Sequence, residues 1–409
     1  MRQQIAVIGG GIVGMSTALT LLRRDQSVTL IDPIHPGDPG QTSFGNAGIL
    51  AREGVGPIAT PSDLIEAPKV LTGLGPYYLN WRELPKNLLW IKDFIWTGRA
   101  SNRPHFAIAM NELLYDTIEQ HRAIAAGTSA EQFIKEGLFT FLYKDDRHRA
   151  GDALSRQYQN EMGVQFELVG RDSLAKRDPQ LSQRYQSGVD FSGHGWITNP
   201  SAYLRALFDH FVKSGGVFKQ VKVLKIYEDT VALDSGDPLR FDQIVLSAGA
   251  WSTKLLDSRV KLPLRAERGY HLHFKNPSHQ PPHPYLVMDR RFGFTPMSDG
   301  LRAAGNADLS SPDSAPKPRA HQNLLRFVRQ LYPSLTYDDY DTWMGSRPTL
   351  SDGLPALGRL ADHQKIICAF GSQHLGLTMG PKLGTLVADI ATSTMPNIDL
   401  TPYDPNRFS

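Results

Sequence analysis

Strand, glycine turn and helix follow one another without a spacer at the start of this chain, and few folds accept that succession. Residues 5–8 (IAVI) form an apolar run short enough for a buried strand. Gly9-Gly10-Gly11-Ile12-Val13-Gly14 follows at once, and residues 15–24 then carry Ala18, Leu19, Leu21 and Leu22 at helical spacing. A second apolar run, SVTLI at 27–31, ends on Asp32. The spacing predicts a βαβ unit that holds a dinucleotide. Gly9 permits the sharp turn, Gly11 lets backbone approach a pyrophosphate, and Gly14 lets helix and sheet pack closely. The helix start offers N–H groups and partial positive charge to phosphate, and Asp32 is placed to accept hydrogen bonds from a ribose. A glycine-rich turn in another α/β unit is the alternative that spacing alone leaves open.

Residues 5–22 carry no charge, a run long enough for a membrane span or the apolar part of a signal peptide. The glycines bunched between Gly9 and Gly14 would weaken such a helix, and Arg23-Arg24 lead straight into the next strand. Cleavage would also remove the nucleotide site. The expectation is a cytoplasmic protein that does not span the membrane.

The 409 residues suffice for two or three domains, and 41% hydrophobic with 21% charged residues is an ordinary globular balance. A net charge of +3 without a dense Lys/Arg cluster argues against a nucleic-acid partner. Cys368 is the only cysteine, which excludes an intramolecular disulfide and a cysteine-based metal cluster; no metal site is expected. Its setting, IICAF, reads as a buried strand, where a thiol is poorly ionised and not catalytic.

Thr42, Ser43, Asn46, Ala47 and Gly48 in QTSFGNAG can lay N–H groups and hydroxyls against a phosphate or a flat ring, although a polar surface loop has the same composition. Residues 57–104 are rich in proline and aromatic residues, and 84–96 can form a helix with one apolar face. That face suits a membrane surface or, more commonly, burial against a second domain. Helices are expected at 111–126, 150–162, 200–214 and 321–332, and strands at 139–143, 164–169, 217–226 and 243–247. The last of these stops at Ala248-Gly249, where backbone can lie close to a ligand. Residues 263–302 alternate short strands and turns, an antiparallel sheet. Near the end, the Cys368 strand leads through small residues into a helix reaching about residue 391.

Taken together, GGGIVGMSTA at 9–18, TSFGNAG at 42–48, ERGYHLHF at 267–274, PMSDGLRAAG at 296–305, WMGSRPTLSDGLP at 343–355 and QHLGLT at 373–378 resemble the FAD-dependent D-amino-acid dehydrogenases. These sit within the wider group of D-amino-acid, glycine and sarcosine oxidases. The ERGYHL and QHLGLT variants are most similar to the branch that includes D-hydroxyproline dehydrogenases.

The resemblance implies an α/β fold with a Rossmann-like FAD-binding domain from segments 1–85, 196–262 and 340–409. A second, α+β substrate domain with an antiparallel sheet would come from 86–195 and 263–339. It implies non-covalent FAD held by Gly9, Gly11, Gly14, Asp32, Thr42, Ser43, Asn46, Ala47, Gly48, Val223, Ala248, Gly249, Leu375, Gly376 and Thr378. Arg347, at the GxRP position, would grip the carboxylate of an amino-acid substrate with a bidentate fork. Tyr270 and His271 would orient the amino group or a ring substituent, or serve as packing. A hydride would pass from Cα to flavin N5, no strong general base being needed if the amine is bound deprotonated, and the imine would hydrolyse to a 2-oxo acid. D-amino acids or cyclic amines such as D-proline are the implied substrates. Electrons would go to a quinone or carrier, with peripheral contact at the inner face of the membrane as the accompanying option. Two departures stand out. Gly371-Ser372 replaces a Gly-His common in relatives, implying loss of a flavin-neighbouring imidazole, and Gly305-Asn306-Ala307-Asp308 replaces Gly-Thr-x-Glu. A glycine- or sarcosine-type oxidase using oxygen, and a non-catalytic flavin-binding subunit, are the competing readings.

Overall fold

Two sheets of different construction face each other across a shared cavity. The computed structural model describes residues 2–56, 77–79 and 83–408. In chain order the principal elements are β1 (Gln4–Ile8), α1 (Ile12–Arg23), β2 (Ser27–Ile31), β3 (Ile49–Leu50), α2 (Leu84–Thr97), α3 (Thr117–Ala125), β4 (Ile134–Tyr143), α4 (Ala153–Glu161), β5 (Ser187–Ile197), α5 (Pro200–Lys213) and β6 (Val217–Lys219). Then come β7 (Val223–Ile226), β8 (Gln243–Leu246), β9 (Leu264–Lys275), β10 (Tyr285–Val287), β11 (Phe292–Met297), β12 (Gly300–Leu309), α6 (Pro318–Leu331), β13 (Asp339–Leu350), β14 (Ala356–Leu360), β15 (His363–Phe370) and α7 (Gly376–Ala391).

The smaller sheet has the order β14-β15-β8-β1-β2-β6 and is parallel except for β14. Ile5, Val7, Leu30, Val245 and Ile367 face one side and pack against the helices, while Ala6, Ile8, Ile244 and Leu246 face the other and pack against β7 and Leu256; all are buried, as in a parallel sheet covered on both faces. On one face α7 lies against α1. Gly384 makes that approach possible, since a Cβ there would sit 2.7 Å from the Ser16 backbone. Cys368 is fully buried in β15 and burial pushes its thiol pKa up, consistent with an inert thiol.

The larger sheet runs β13-β9-β12-β11-β10-β4-β5-β3, with Tyr77–Leu79 beside β12 and Phe166–Gly170 beside β5. Helix α6 covers one face, packing Leu324, Phe327 and Leu331 on Leu272, Phe274 and Phe294. The opposite face roofs the cavity.

Several sequence expectations need correction. Strand β13, expected among the cofactor segments from residue 340 on, pairs with β9 along its whole length, from Leu264↔Leu350 to Lys275↔Asp339. Its C-terminal half is buried on both faces, so no alternating pattern marked it as a strand. The 217–226 run splits into β6 and β7, which belong to different sheets. The 111–126 helix is really two helices that break at Tyr115-Asp116. Helix α2 does not bury its whole apolar face. Trp90 is buried and donates Nε1–H to the Pro263 carbonyl at 2.9 Å, but Leu88, Leu89 and Trp96 are 55%, 75% and 48% exposed. No described helix is long and apolar enough to cross a membrane. The proline-rich stretch 57–76 lies outside the described residues.

Candidate active site

A cavity of about 1180 Å³ lies between the sheets, above the roughly 300–1,000 Å³ of a site for a single small ligand. One end is made of backbone. Gly9 turns with φ of 105°, and a Cβ there would come within 2.5 Å of the Ser247 carbonyl oxygen. A Cβ on Gly14 would lie 1.8 Å from the Gly9 carbonyl oxygen. No side chain caps α1, whose first N–H, on Ile12, donates to Ser43 Oγ at 3.0 Å. The helix start therefore presents N–H groups to the cavity, the arrangement that receives a phosphate.

Asp32 borders the same end, but its carboxylate mainly ties the turn together. It accepts from the Gly10 N–H at 2.6 Å, the Ile34 N–H at 2.8 Å and Gln41 Nε2 at 3.3 Å. Of about four acceptor positions on a carboxylate, one is left for a ribose hydroxyl. Burial raises the Asp32 pKa and these three donors oppose it.

The middle of the cavity is floored by the 42–48 segment. Arg302, buried under β12, donates Nη1–H to the Phe44 and Asn46 carbonyls at 3.1 and 2.8 Å, and burial lowers its pKa to about 10. Thr42 Oγ1 donates to the Ser346 carbonyl at 2.9 Å. With those carbonyls tied back, Thr42, Ser43, Asn46 and Ala47 line the cavity. So do Gly9, Gly11, Asp32, Val223, Ala248, Gly249, Leu375 and Gly376 from five further segments. Gly14, Gly48 and Thr378 stand behind the wall. Gly14 serves helix packing; Gly48 turns with φ of 79° against the Ile197 carbonyl; Thr378 Oγ1 accepts from the Ala51 N–H at 3.2 Å, joining α7 to the chain after β3.

The other end is made of side chains. Arg347 on β13 donates Nη1–H to Glu267 Oε1 at 2.9 Å and to the Asn306 carbonyl at 3.1 Å. Its Nε and Nη2 keep no acceptor among the described residues, which leaves one bidentate edge of the guanidinium open. The group lies over Gly269, where a Cβ would be 2.5 Å from its central carbon.

Tyr270 borders this end, but its hydroxyl donates to Asp308 Oδ2 at 2.9 Å and accepts from the Lys317 N–H at 3.2 Å. His271 is outside the lining; its ring stacks on Trp343 at 5.0 Å and its Nδ1 meets the Gly45 carbonyl at 3.0 Å. Both side chains make structural contacts, as the packing alternative expects. The departure at Asp308 is structural too, because that carboxylate is fully buried among Arg268, Tyr270, Ser310 and Lys317.

The turn after β15 is not without an imidazole. Gly371 and Gln373 both adopt positive φ, 92° and 52°, the second a costly conformation for a residue with a Cβ. That backbone swings His374 onto the cavity wall, where the residue is exposed to the cavity. Burial lowers its pKa, Glu267 and Glu53 raise it, and Arg347 lowers it. Glu53 is buried on the same wall and holds His194 Nε2 at 2.8 Å through Oε2. Glu267 and His374 sat inside motifs already visible in sequence. Glu53 had no local signal at all.

A glycine cradle, a floor of small residues and a carboxylate fork in one enclosed volume define an oxidoreductase built on a bound dinucleotide. Residues 4–390 match the family model described as FAD dependent oxidoreductase, and the chain belongs to that family. It is 32% identical over 99% of both chains to a D-amino-acid oxidase of Bradyrhizobium diazoefficiens. It is 27% identical over 98% of both to D-amino acid dehydrogenase 2 of Pseudomonas aeruginosa. Its fold matches the crystal structure of glycine oxidase from Geobacillus kaustophilus, with a TM-score of 0.74 at 18% identity over 99% of each chain. The cofactor is FAD, and the cradle fits it: backbone N–H groups at one end, and at the other a floor of small residues, Ala47 and Gly376, suited to a flat ring.

Proposed function

We propose that this protein oxidises D-amino acids to 2-oxo acids and passes the electrons to a quinone or carrier protein. The observation that carries the reading is Arg347: a buried-side guanidinium, positioned by Glu267, with one edge open to the cavity that also holds the cofactor-lining residues. The D-amino-acid names of the relatives support it. FAD supplies the acceptor for the hydride leaving Cα. The chain's own residues bind the substrate carboxylate at Arg347, exclude water beneath the roof sheet, and fix which face of Cα points toward the flavin. D-proline and D-hydroxyproline fit as cyclic members of the class. The cofactor residues named above, and a division into a cofactor unit around the small sheet and a substrate unit around the large one, are part of the same proposal.

Exposed Leu88, Leu89 and Trp96 on α2, beside the cations Lys92 and Arg99, support docking on an anionic membrane surface that contains the quinone. The oxidase name of the Bradyrhizobium relative favours oxygen as the competing acceptor.

Anaerobic bleaching of bound flavin by paired D- and L-amino acids, both prolines and hydroxyprolines included, tests the reaction. Bleaching by none of them ends the proposal, and bleaching by L-isomers alone ends its handedness. Peroxide yield under air against quinone reduction under nitrogen decides the acceptor.

A further inference from the structure

An amino acid in water carries its nitrogen as an ammonium, which has no lone pair to assist loss of a hydride from Cα. A buried site must therefore admit only the rare neutral amine or provide somewhere for the proton to go. The side chains expected to face the amine do not serve, since the Tyr270 hydroxyl is committed to Asp308 and the His271 ring to Trp343 and Gly45. One imidazole on the wall is uncommitted. His374 makes no hydrogen bond to any described residue, and its ring faces the cavity.

Three charged groups face it: Glu267 from β9, Arg347 from β13, and Glu53 from the chain after β3. Glu267 is tied to Arg347 Nη1 at 2.9 Å, and the other edge of Arg347 is kept for the substrate carboxylate. Glu53 is different. Its Oε2 holds His194, its Oε1 has no partner among the described residues, and its backbone carbonyl is fixed by Gln159 Nε2 at 2.9 Å. Behind it, His194 Nδ1 meets the Ser192 carbonyl at 3.0 Å, which fixes the ring that holds Glu53. The result is an anchored carboxylate and a carboxylate fork on the same cavity wall as an unpartnered imidazole.

We propose that His374 receives the proton of the substrate ammonium and that Glu53, braced by His194, stabilises the imidazolium so formed. The assignment rests on the amino-acid reading of the site. With the carboxylate on Arg347, the substrate N–H bond breaks and the proton moves to an imidazole nitrogen. The nitrogen lone pair would then support departure of the Cα hydrogen with its two electrons, for which bound FAD would supply the acceptor, and water would convert the resulting iminium to 2-oxo acid and ammonium. His374 is a catalytic residue in this scheme, and Glu53 and His194 are positioning residues. Desolvation in the cavity lowers the His374 pKa, which favours the neutral ring that can accept a proton.

The test uses the holoenzyme and an analogue that cannot turn over. 2-Methylalanine has no Cα hydrogen, and isobutyrate is its counterpart without the amine. Their affinities are read from the change they cause in the bound-flavin spectrum between pH 7 and 9. In the wild type, proton transfer within the complex leaves no net proton exchange, so 2-methylalanine binding is expected to be flat with pH. In His374→Gln the amine must shed its proton to solvent, and affinity should rise about tenfold per pH unit. Isobutyrate should bind alike in both, showing Arg347 undisturbed. Should His374→Gln lose its flavin, Glu53→Gln is the second variant, expected to weaken 2-methylalanine about tenfold at pH 7 and to spare isobutyrate. A wild-type profile that already climbs tenfold per unit, or a His374→Gln profile as flat as wild type, overturns the assignment. If no amino acid binds or bleaches the wild-type flavin, the proposed function itself has failed. If amino acids bleach it and the profiles coincide, only His374 is removed.

Discussion

The two ends of the cavity are built by opposite means. At the phosphate end, turn and helix start come from residues 9–14, and the working groups are backbone N–H donors that any sequence compatible with the turn would supply. At the substrate end, Glu53, Glu267, Arg347 and His374 arrive from four separated segments, and every working group is a side chain. The first end is intolerant of added volume and indifferent to most side-chain chemistry. The second depends on chemistry and on the strands that bring the groups together.

The largest effect is expected at the backbone end. Gly14→Ala would put a Cβ 1.8 Å from the Gly9 carbonyl oxygen, a backbone atom that cannot step aside. The purified variant should be nearly colourless or insoluble, and full flavin content per mole of protein would break the contrast. Next, Arg347→Ala removes two charge-assisted hydrogen bonds to substrate. At roughly 1.5–3 kcal/mol each, kcat/KM should fall about a thousandfold while flavin content stays unchanged. Arg347→Lys should recover little, because an ammonium lacks the fork. A variant that loses flavin along with activity would show that the two ends are not separable.

A third prediction concerns a clamp that ties three helices together behind the cavity. His121, fully buried on α3, pairs Nδ1 with Tyr203 Oη and Nε2 with the Leu377 carbonyl at the start of α7, both at 2.9 Å. Burial lowers its pKa to about 4 from an ordinary 6.5. Between those values the unfolded chain binds the proton and the folded one does not. The stabilisation is thus complete above pH 6.5 and lost as pH falls toward 4, to the extent of about 3 kcal/mol. Urea midpoints measured across that window should drop steadily, and a level profile would refute the clamp. The smallest effect is Glu267→Gln. Arg347 keeps the Asn306 carbonyl, so KM should rise about tenfold with kcat nearly constant. A loss as large as that of Arg347→Ala would instead make Glu267 a direct participant.

The same contrast explains what could be read before folding. The β1–α1–β2 unit was legible because its evidence is local: apolar runs of strand length, glycines where a Cβ would collide, an acid at the following strand end. Arg347 was legible through its motif, but its strand was not, because β13 is covered on both faces where Pro348, Thr349 and Leu350 sit and shows no alternation. Tyr270 and His271 looked equivalent as neighbours. They point to opposite faces of β9, one toward α6 and Asp308 and the other onto Trp343.

Ser372 illustrates the limit from the other direction. The missing histidine of the Gly-His pair suggested a site without an imidazole, whereas positive φ at Gly371 and Gln373 turns His374 into the cavity two positions later. Sequence by itself determined the nucleotide cradle and the family, because a backbone-made site is encoded by a few adjacent residues whose sterics are local. Only the tertiary structure decided which carboxylates and imidazoles share the cavity. Side chains at positions 53, 194, 267, 347 and 374 become neighbours only when ten strands close over the cavity, and no periodicity records a distance between segments that far apart.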